Sequence, residues 1–287
     1  MYGLPTTQPS NRAQPLRVGQ NGDWPAIVLV FLQLNPSEQS PASLSAESTA
    51  TVELASPSRW SVIRNGLLDT AAALGVTIAA VVAVLLPQAI SRGGGREELS
   101  PVVIVGILFL TELAWLYFGF RRLKANRKEG VILNLLEGKM GRGVLSGIAL
   151  GIALIAFSAV YTISVQKLFH LSSLPNPIRI LGDVKGNLLL SFALVLMLAV
   201  IAPVCEEFFF RGIIFGSAQA INRAGPGAVL ASVLFAFIHT SLVLSPYYIV
   251  WSLASCWLLA RCRTIMGPIA AHMTVNSVAC LGFLLSR

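Results

Sequence analysis

Residues 188–212 read LLLSFALVLMLAVIAPVCEEFFFRG. From Leu188 to Val204 the single polar side chain is Ser191, and about 20 such residues suffice to cross roughly 30 Å of hydrocarbon. The run then meets Glu206, Glu207 and Arg211. A soluble helix has no use for so long an apolar face, and a plain membrane anchor has none for two adjacent carboxylates. The stretch therefore reads as a membrane helix that carries chemistry.

The rest of the chain is built in the same way. Of 287 residues, 55% are hydrophobic and 12% charged, with a mean hydropathy of +0.72, against roughly 25% charged in a soluble domain. Apolar blocks fall at 67–90, 102–120, 144–165, 188–205, 227–244, 246–260 and 265–285. The fold class is thus an all-α, polytopic membrane helix bundle of seven transmembrane helices, or eight if one block divides. Gly225-Pro226-Gly227 and Ser245-Pro246 punctuate the blocks on either side of the fifth span. Three parts follow: a polar, disordered tail at 1–58, N-terminal transmembrane helices at 59–186, and a catalytic transmembrane core at 187–287. The tail holds one apolar patch, Trp24–Leu34, too short to span, and no cleavable leader is expected, so the first span serves as the insertion signal.

The net charge of +8 lies beside the apolar blocks, where it sets orientation, so no nucleic-acid partner is expected. Between spans two and three, Arg121, Arg122, Lys124, Arg127, Lys128, Lys139 and Arg142 face only Glu129 and Glu137. That loop is expected to be cytoplasmic, which puts Arg59, Arg64, Arg223, Arg261 and Arg263 on the same side and Arg92/Arg96/Glu97/Glu98 outside. The expected location is the cytoplasmic membrane, with the site opening toward the cytoplasmic half. No internal repeat supports a transporter of inverted halves. Cys205, Cys256, Cys262 and Cys280 lack metal-ligand spacing and read as small buried hydrophobes.

Ionisable groups inside apolar spans cost a few kcal/mol each and ask for a partner or a role. Glu207 and Arg211, four apart, can pair on one helical face, while Glu206 points about 100° away and is free to face another helix. His239 lies about 18 Å along the fifth span if that helix starts near Gly227. His272 and Asn276, again four apart, share a face of the last span. One free carboxylate, two imidazoles and an amide make a hydrolase inventory. A water between Glu206 and His239 could be deprotonated by the carboxylate, and His272 with Asn276 could donate to the oxyanion that forms. Glu112 sits mid-span near Trp115, a candidate for an unexpected role with no partner legible; Asp69 lies near the start of the first span.

Taken in order, Glu206-Glu207-x-x-x-Arg211, Phe235-x-x-x-His239 and His272-x-x-x-Asn276 resemble the three motifs of the CAAX prenyl protease and bacteriocin-processing family of intramembrane glutamate endopeptidases; Ala202-Pro203 and Gly212 fit as well. The resemblance covers roughly residues 190–285. It implies a membrane-embedded endopeptidase with Glu206 as base, His239 as its water-binding partner, His272 with Asn276 as oxyanion site, and Glu207 with Arg211 in support. The stretch Arg261–Pro268 departs from the family's Gly-Ser turn before the last helix.

Several plainer readings stand beside this one. Glu207 and Arg211 could be a structural ion pair, Glu206 could snorkel to the interface, and His272 with Asn276 could be interhelical glue. Phe208–Phe210 reads as packing. A Cys205 nucleophile is disfavoured because it diverges from Glu206 on the helix. Glu206, His239 and His272 would form a zinc set, but no HExxH occurs, and no cofactor is the leading expectation. The expected partners are the lipid bilayer and a membrane-associated peptide or protein substrate. The alternative function is a non-catalytic membrane protein for bacteriocin immunity or partner binding. Substrate prenylation, cleavage position and oligomeric state are not legible in the residues.

Overall fold

Lipid offers no hydrogen-bond partner to an exposed N–H or C=O, so each apolar segment must close its backbone bonds within itself. A computed structural model describes residues 59–91, 100–128, 133, 135–174, 182, 184, 186–239 and 241–285. Seven helices carry them: α1 (Arg59–Ser91), α2 (Pro101–Lys128), α3 (Met140–Leu168), α4 (Leu188–Ala220), α5 (Ala224–Ile238), α6 (Ser245–Cys262) and α7 (Met266–Leu285). Each apolar block coincides with one helix, and the described residues form no strand beyond the isolated bridge Leu136–Thr264. Among these helices α2, α3, α4 and α7 are long and apolar enough to cross a membrane, and α5 is a shorter apolar helix. The chain is an all-α integral membrane protein. The tail at 1–58 and the loop at 92–99 lie outside the described residues.

Four boundaries differ from expectation by six residues or more. α1 begins at Arg59 instead of 67, and α2 continues to Lys128 instead of 120, so Arg121, Arg122, Lys124, Arg127 and Lys128 lie on the helix and not in a loop. α4 continues past 205 to Ala220, because Glu207 and Arg211 neutralise each other inside it instead of ending it at an interface. α5 stops at Ile238 instead of 244: His239 caps it, and residues 241–244 form a turn in which the Ser241 carbonyl accepts from the amides of Leu244 and Ser245.

The centre of the bundle is set by how closely α3 approaches α7. Gly143, Gly147 and Gly151 recur every four residues on one face of α3, and small residues there let two backbones meet. A Cβ added at Gly147 would fall 2.2 Å from the Gly267 carbonyl oxygen, and one at Gly151 2.8 Å from that of Ala271. The opposite face exposes Leu145, Ile152, Val160 and Ile163, the surface lipid requires. α2 packs on α4 through Trp115, whose ring lies 4.8 Å from Phe209 and 5.3 Å from Phe210, and through a buried 2.7 Å hydrogen bond from Asn126 Nδ2 to Ser217 Oγ.

The α2–α3 loop straps this core at one end. Ile265 N donates to Leu135 O (2.7 Å), Gly138 N donates to Arg263 O (2.8 Å), and Arg263 pairs with Glu137. The turn before α7, which departs from the family pattern in sequence, is made by Arg263 in the left-handed region at φ 52° and held by that strap. Two loops assigned to the same side by their charge thus meet.

The glycine stripe generates a sign test. Ala normally stabilises a helix relative to Gly by roughly 0.5–1 kcal/mol. Gly147→Ala should instead destabilise by about 1–3 kcal/mol through overpacking, whereas Gly141→Ala, with open space around its Cβ, should be neutral or stabilising. Thermal unfolding of the two purified variants in detergent checks this; equal melting temperatures would contradict the close approach.

Candidate active site

α4 brings the carboxylates to the middle of the bundle between two stretches where its turn widens to the i→i+5 pattern, Met197–Ile201 and Phe208–Phe215. Such widened turns leave carbonyls available to other partners and recur at functional sites. Here Leu198 O accepts a 2.8 Å hydrogen bond from Asn276 Nδ2 of α7.

Glu207 and Arg211 are fully buried. Glu207 Oε1 lies 3.1 Å from Arg211 Nη1 and 2.9 Å from Nδ1 of His272, itself buried. One oxygen therefore gathers a guanidinium from its own helix and an imidazole from α7. The guanidinium carbon stands 4.1 Å from the centroid of the Phe235 ring, so Arg211 is enclosed between a carboxylate and an aromatic face. The His272 ring meets Trp251 edge-on at 4.8 Å. With Nδ1 held by Glu207, the nitrogen of His272 left to other partners is Nε2.

Glu206, the next residue, faces elsewhere. It is partly exposed, and its Oε2 is enclosed without a hydrogen-bond partner. It lies within electrostatic range of His239, Tyr248 and Glu112. His239 sits at the end of α5, where Nδ1 lies 2.8 Å from the Phe235 carbonyl oxygen. As that carbonyl can only accept, Nδ1 carries the proton, and in the neutral ring Nε2 is an acceptor. The ring is sandwiched against Tyr248 at 4.1 Å and Phe235 at 4.5 Å, which fixes its plane.

The six candidate residues thus fall into two adjoining sets. Glu207, Arg211 and His272 are linked directly; Glu206 and His239 lie within electrostatic range of each other. Phe235 joins the sets, since its ring touches Arg211, His239 and His272. Asn276 is one turn from His272 on α7, with its amide nitrogen engaged by α4. Sequence reasoning passed over Tyr248 and Trp251, because aromatic residues three apart on a helix read as core. Among the described residues, no group of three His, Cys, Asp or Glu side chains converges to hold a metal ion, so the zinc set of Glu206, His239 and His272 is not gathered as ligands.

Comparison with known proteins covers the same stretch. Residues 188–278 match the family model described as Type II CAAX prenyl endopeptidase Rce1-like. Curated relatives include the "Putative membrane peptidase YdiL" of Bacillus subtilis, 29% identical over 84 residues, which are 29% of this chain and 34% of that protein. They also include the "UPF0177 protein YxdF" of Lactococcus lactis, 35% identical over 82 residues, 28% of this chain and 44% of that protein. The chain therefore spans well under two thirds of the length of either relative. No solved structure matches. Over residues 188–278, the stretch that carries all six candidate residues, the chain is similar to the Type II CAAX prenyl endopeptidase Rce1-like family.

Proposed function

We propose that the chain is an intramembrane endopeptidase in which Glu206 activates a water to cleave a membrane-associated peptide or protein. The observation that carries this is the division of labour between adjacent carboxylates. Both carboxyls keep an unpartnered Oε2, but Glu207 is held through Oε1 by Arg211 and His272, whereas Glu206 makes no such pairing and lies within electrostatic range of His239. The family match over α4 to α7 supports the reaction class.

Each residue then has a step. The Nε2 lone pair of His239 accepts one hydrogen of the water, and Glu206 removes the other as the oxygen bonds to the scissile carbonyl carbon. The carbonyl becomes an oxyanion and takes hydrogen bonds from Nε2 of His272, whose Nδ1 is held by Glu207, and from Asn276 Nδ2, which exchanges Leu198 O for it. Glu206 passes its proton to the amide nitrogen as the C–N bond breaks. Arg211 touches no reacting atom; it holds Glu207 in place.

The test compares membrane-associated protein termini in cells carrying the wild-type chain or Glu206→Gln. A set of termini should depend on Glu206. If the two proteomes coincide, the proteolytic reading falls and binding or immunity without catalysis takes its place. Against a substrate so found, Asn276→Ala should lower kcat about 10² to 10³-fold and Glu206→Gln by more. Glu207→Gln should differ in kind, losing roughly 3–5 kcal/mol of stability because it strands the buried Arg211. A Glu207→Gln variant that is inactive yet unfolds at the wild-type temperature would contradict that role.

We also propose that the strapped end, with the α2–α3 loop, faces the cytoplasm. Asn126 is buried against Ser217, so Lys128, the exposed last residue of α2, is the better labelling position at that end. Cys introduced at Gly94 should react with an impermeant thiol reagent in intact cells, and Cys at Lys128 should not; the reverse pattern would invert the topology.

A further inference from the structure

The first two spans reach the edge of the hydrocarbon at a common level. The apolar block of α1 begins at Leu67, just after Arg64 and Asn65, and that of α2 ends at Phe120, just before Arg121 and Arg122. Arg121 donates to Asp69, so these two polar ends meet. They do so at the depth where apolar chains give way to lipid headgroups.

An ion pair that served only to tie the helices together would leave no room between them. Here a cleft of about 220 Å³ remains, lined by Asn65, Leu68 and Asp69 of α1 and by Arg121, Arg122 and Ala125 of α2. Two guanidinium groups and one carboxylate share it, an excess of one positive charge. Asp69 is 4% exposed and meets one guanidinium nitrogen of Arg121, whose side chain is 55% exposed. Arg122 is enclosed at 4% exposure. A guanidinium carries five N–H groups in a planar fork and can serve a carboxylate and a phosphate at once. Asn65 adds an amide to the cleft, and Leu68, 59% exposed, gives it an apolar rim.

Each feature suits the same ligand. The planar forks match phosphate oxygens, the single excess charge matches one phosphodiester, and the apolar rim at the edge of the hydrocarbon matches acyl chains. Basic clefts between membrane helices at this depth hold anionic headgroups. We propose that the cleft between α1 and α2 binds the headgroup of an anionic phospholipid. Arg121 and Arg122 donate to its phosphate, Asn65 bonds the polar group beyond, and the acyl chains pass Leu68. Asp69 holds Arg121 in place, so a lipid seated here clamps α1 to α2. A zwitterionic lipid would bring an ammonium group to a cleft that already has excess positive charge. The site lies outside residues 188–278 and does not depend on the reading of Glu206.

The test uses the purified, delipidated full chain in detergent and reads its melting temperature with phosphatidylglycerol, phosphatidylcholine or inorganic phosphate added. Phosphatidylglycerol should raise it along a saturating curve, because a ligand of the folded state stabilises by mass action; the other two should not. Arg122→Gln should raise the half-saturating concentration at least about tenfold, as a charge-assisted hydrogen bond is lost. Ala125→Phe fills the cleft and leaves every charge in place, so it should abolish the shift, and it decides if Arg122→Gln does not fold. Lys124→Gln removes an exposed cation from the same turn but not from the cleft, and should keep the shift. An equal shift with phosphatidylcholine, or one reproduced by inorganic phosphate, would overturn the proposal, the first as a general effect of lipid and the second as a free-anion site. A shift that survives Ala125→Phe, or that Lys124→Gln weakens as much as Arg122→Gln does, would overturn it too, since diffuse surface charge would then account for the effect.

Discussion

A carboxylate enclosed in an apolar bundle must be met by opposite charge and hydrogen bonds or it destabilises the fold. Glu207 satisfies that demand with one oxygen, which receives Arg211 from one turn along α4 and His272 from α7. The contact is both a stabilising and a positioning device. It fixes the rotation of α4 about its axis, because the helix can present Glu207 to α7 in one setting only. α7 is in turn held against α3 by glycines that admit no side chain, so the anchor is referred to the rigid centre of the bundle.

With α4 oriented in this way, the neighbouring carboxylate is aimed by geometry alone. Glu206, about 100° around α4 from Glu207, lies within electrostatic range of the end of α5, where His239 is clamped by the Phe235 carbonyl and two aromatic faces. The widened turns of α4 on either side of the pair matter for the same reason. They change the helical phase over a few residues and give Asn276 a backbone carbonyl to hold. The rings of Phe235, Tyr248 and Trp251 pack against the two imidazoles in the same space.

Much of this was legible in the residues. The lengths of the apolar blocks gave the helices and their order, since lipid leaves a long apolar segment one backbone solution. Four-residue spacing gave the Glu207–Arg211 pair and put His272 and Asn276 on one face. What stayed hidden depends on contacts between elements distant in the chain. His239 ends its helix instead of lying within it, because its own ring binds the last turn. The imidazole that Glu207 holds comes from 65 residues away. Glu112 was visible as an anomaly, but that its helix packs on α4 through Trp115 was not. The strap between the α2–α3 loop and the turn before α7 left no mark in composition, as its hydrogen bonds are made by backbone atoms.

The central claim is that the carboxylate of Glu206, and not a metal ion, activates the water. Metal content and turnover of the purified full chain before and after chelation, on a substrate identified by its Glu206-dependent terminus, test it most directly. The account predicts well under one metal ion per chain and turnover unchanged by chelation. Full, reversible loss of turnover on removing one tightly bound zinc ion per chain would contradict it.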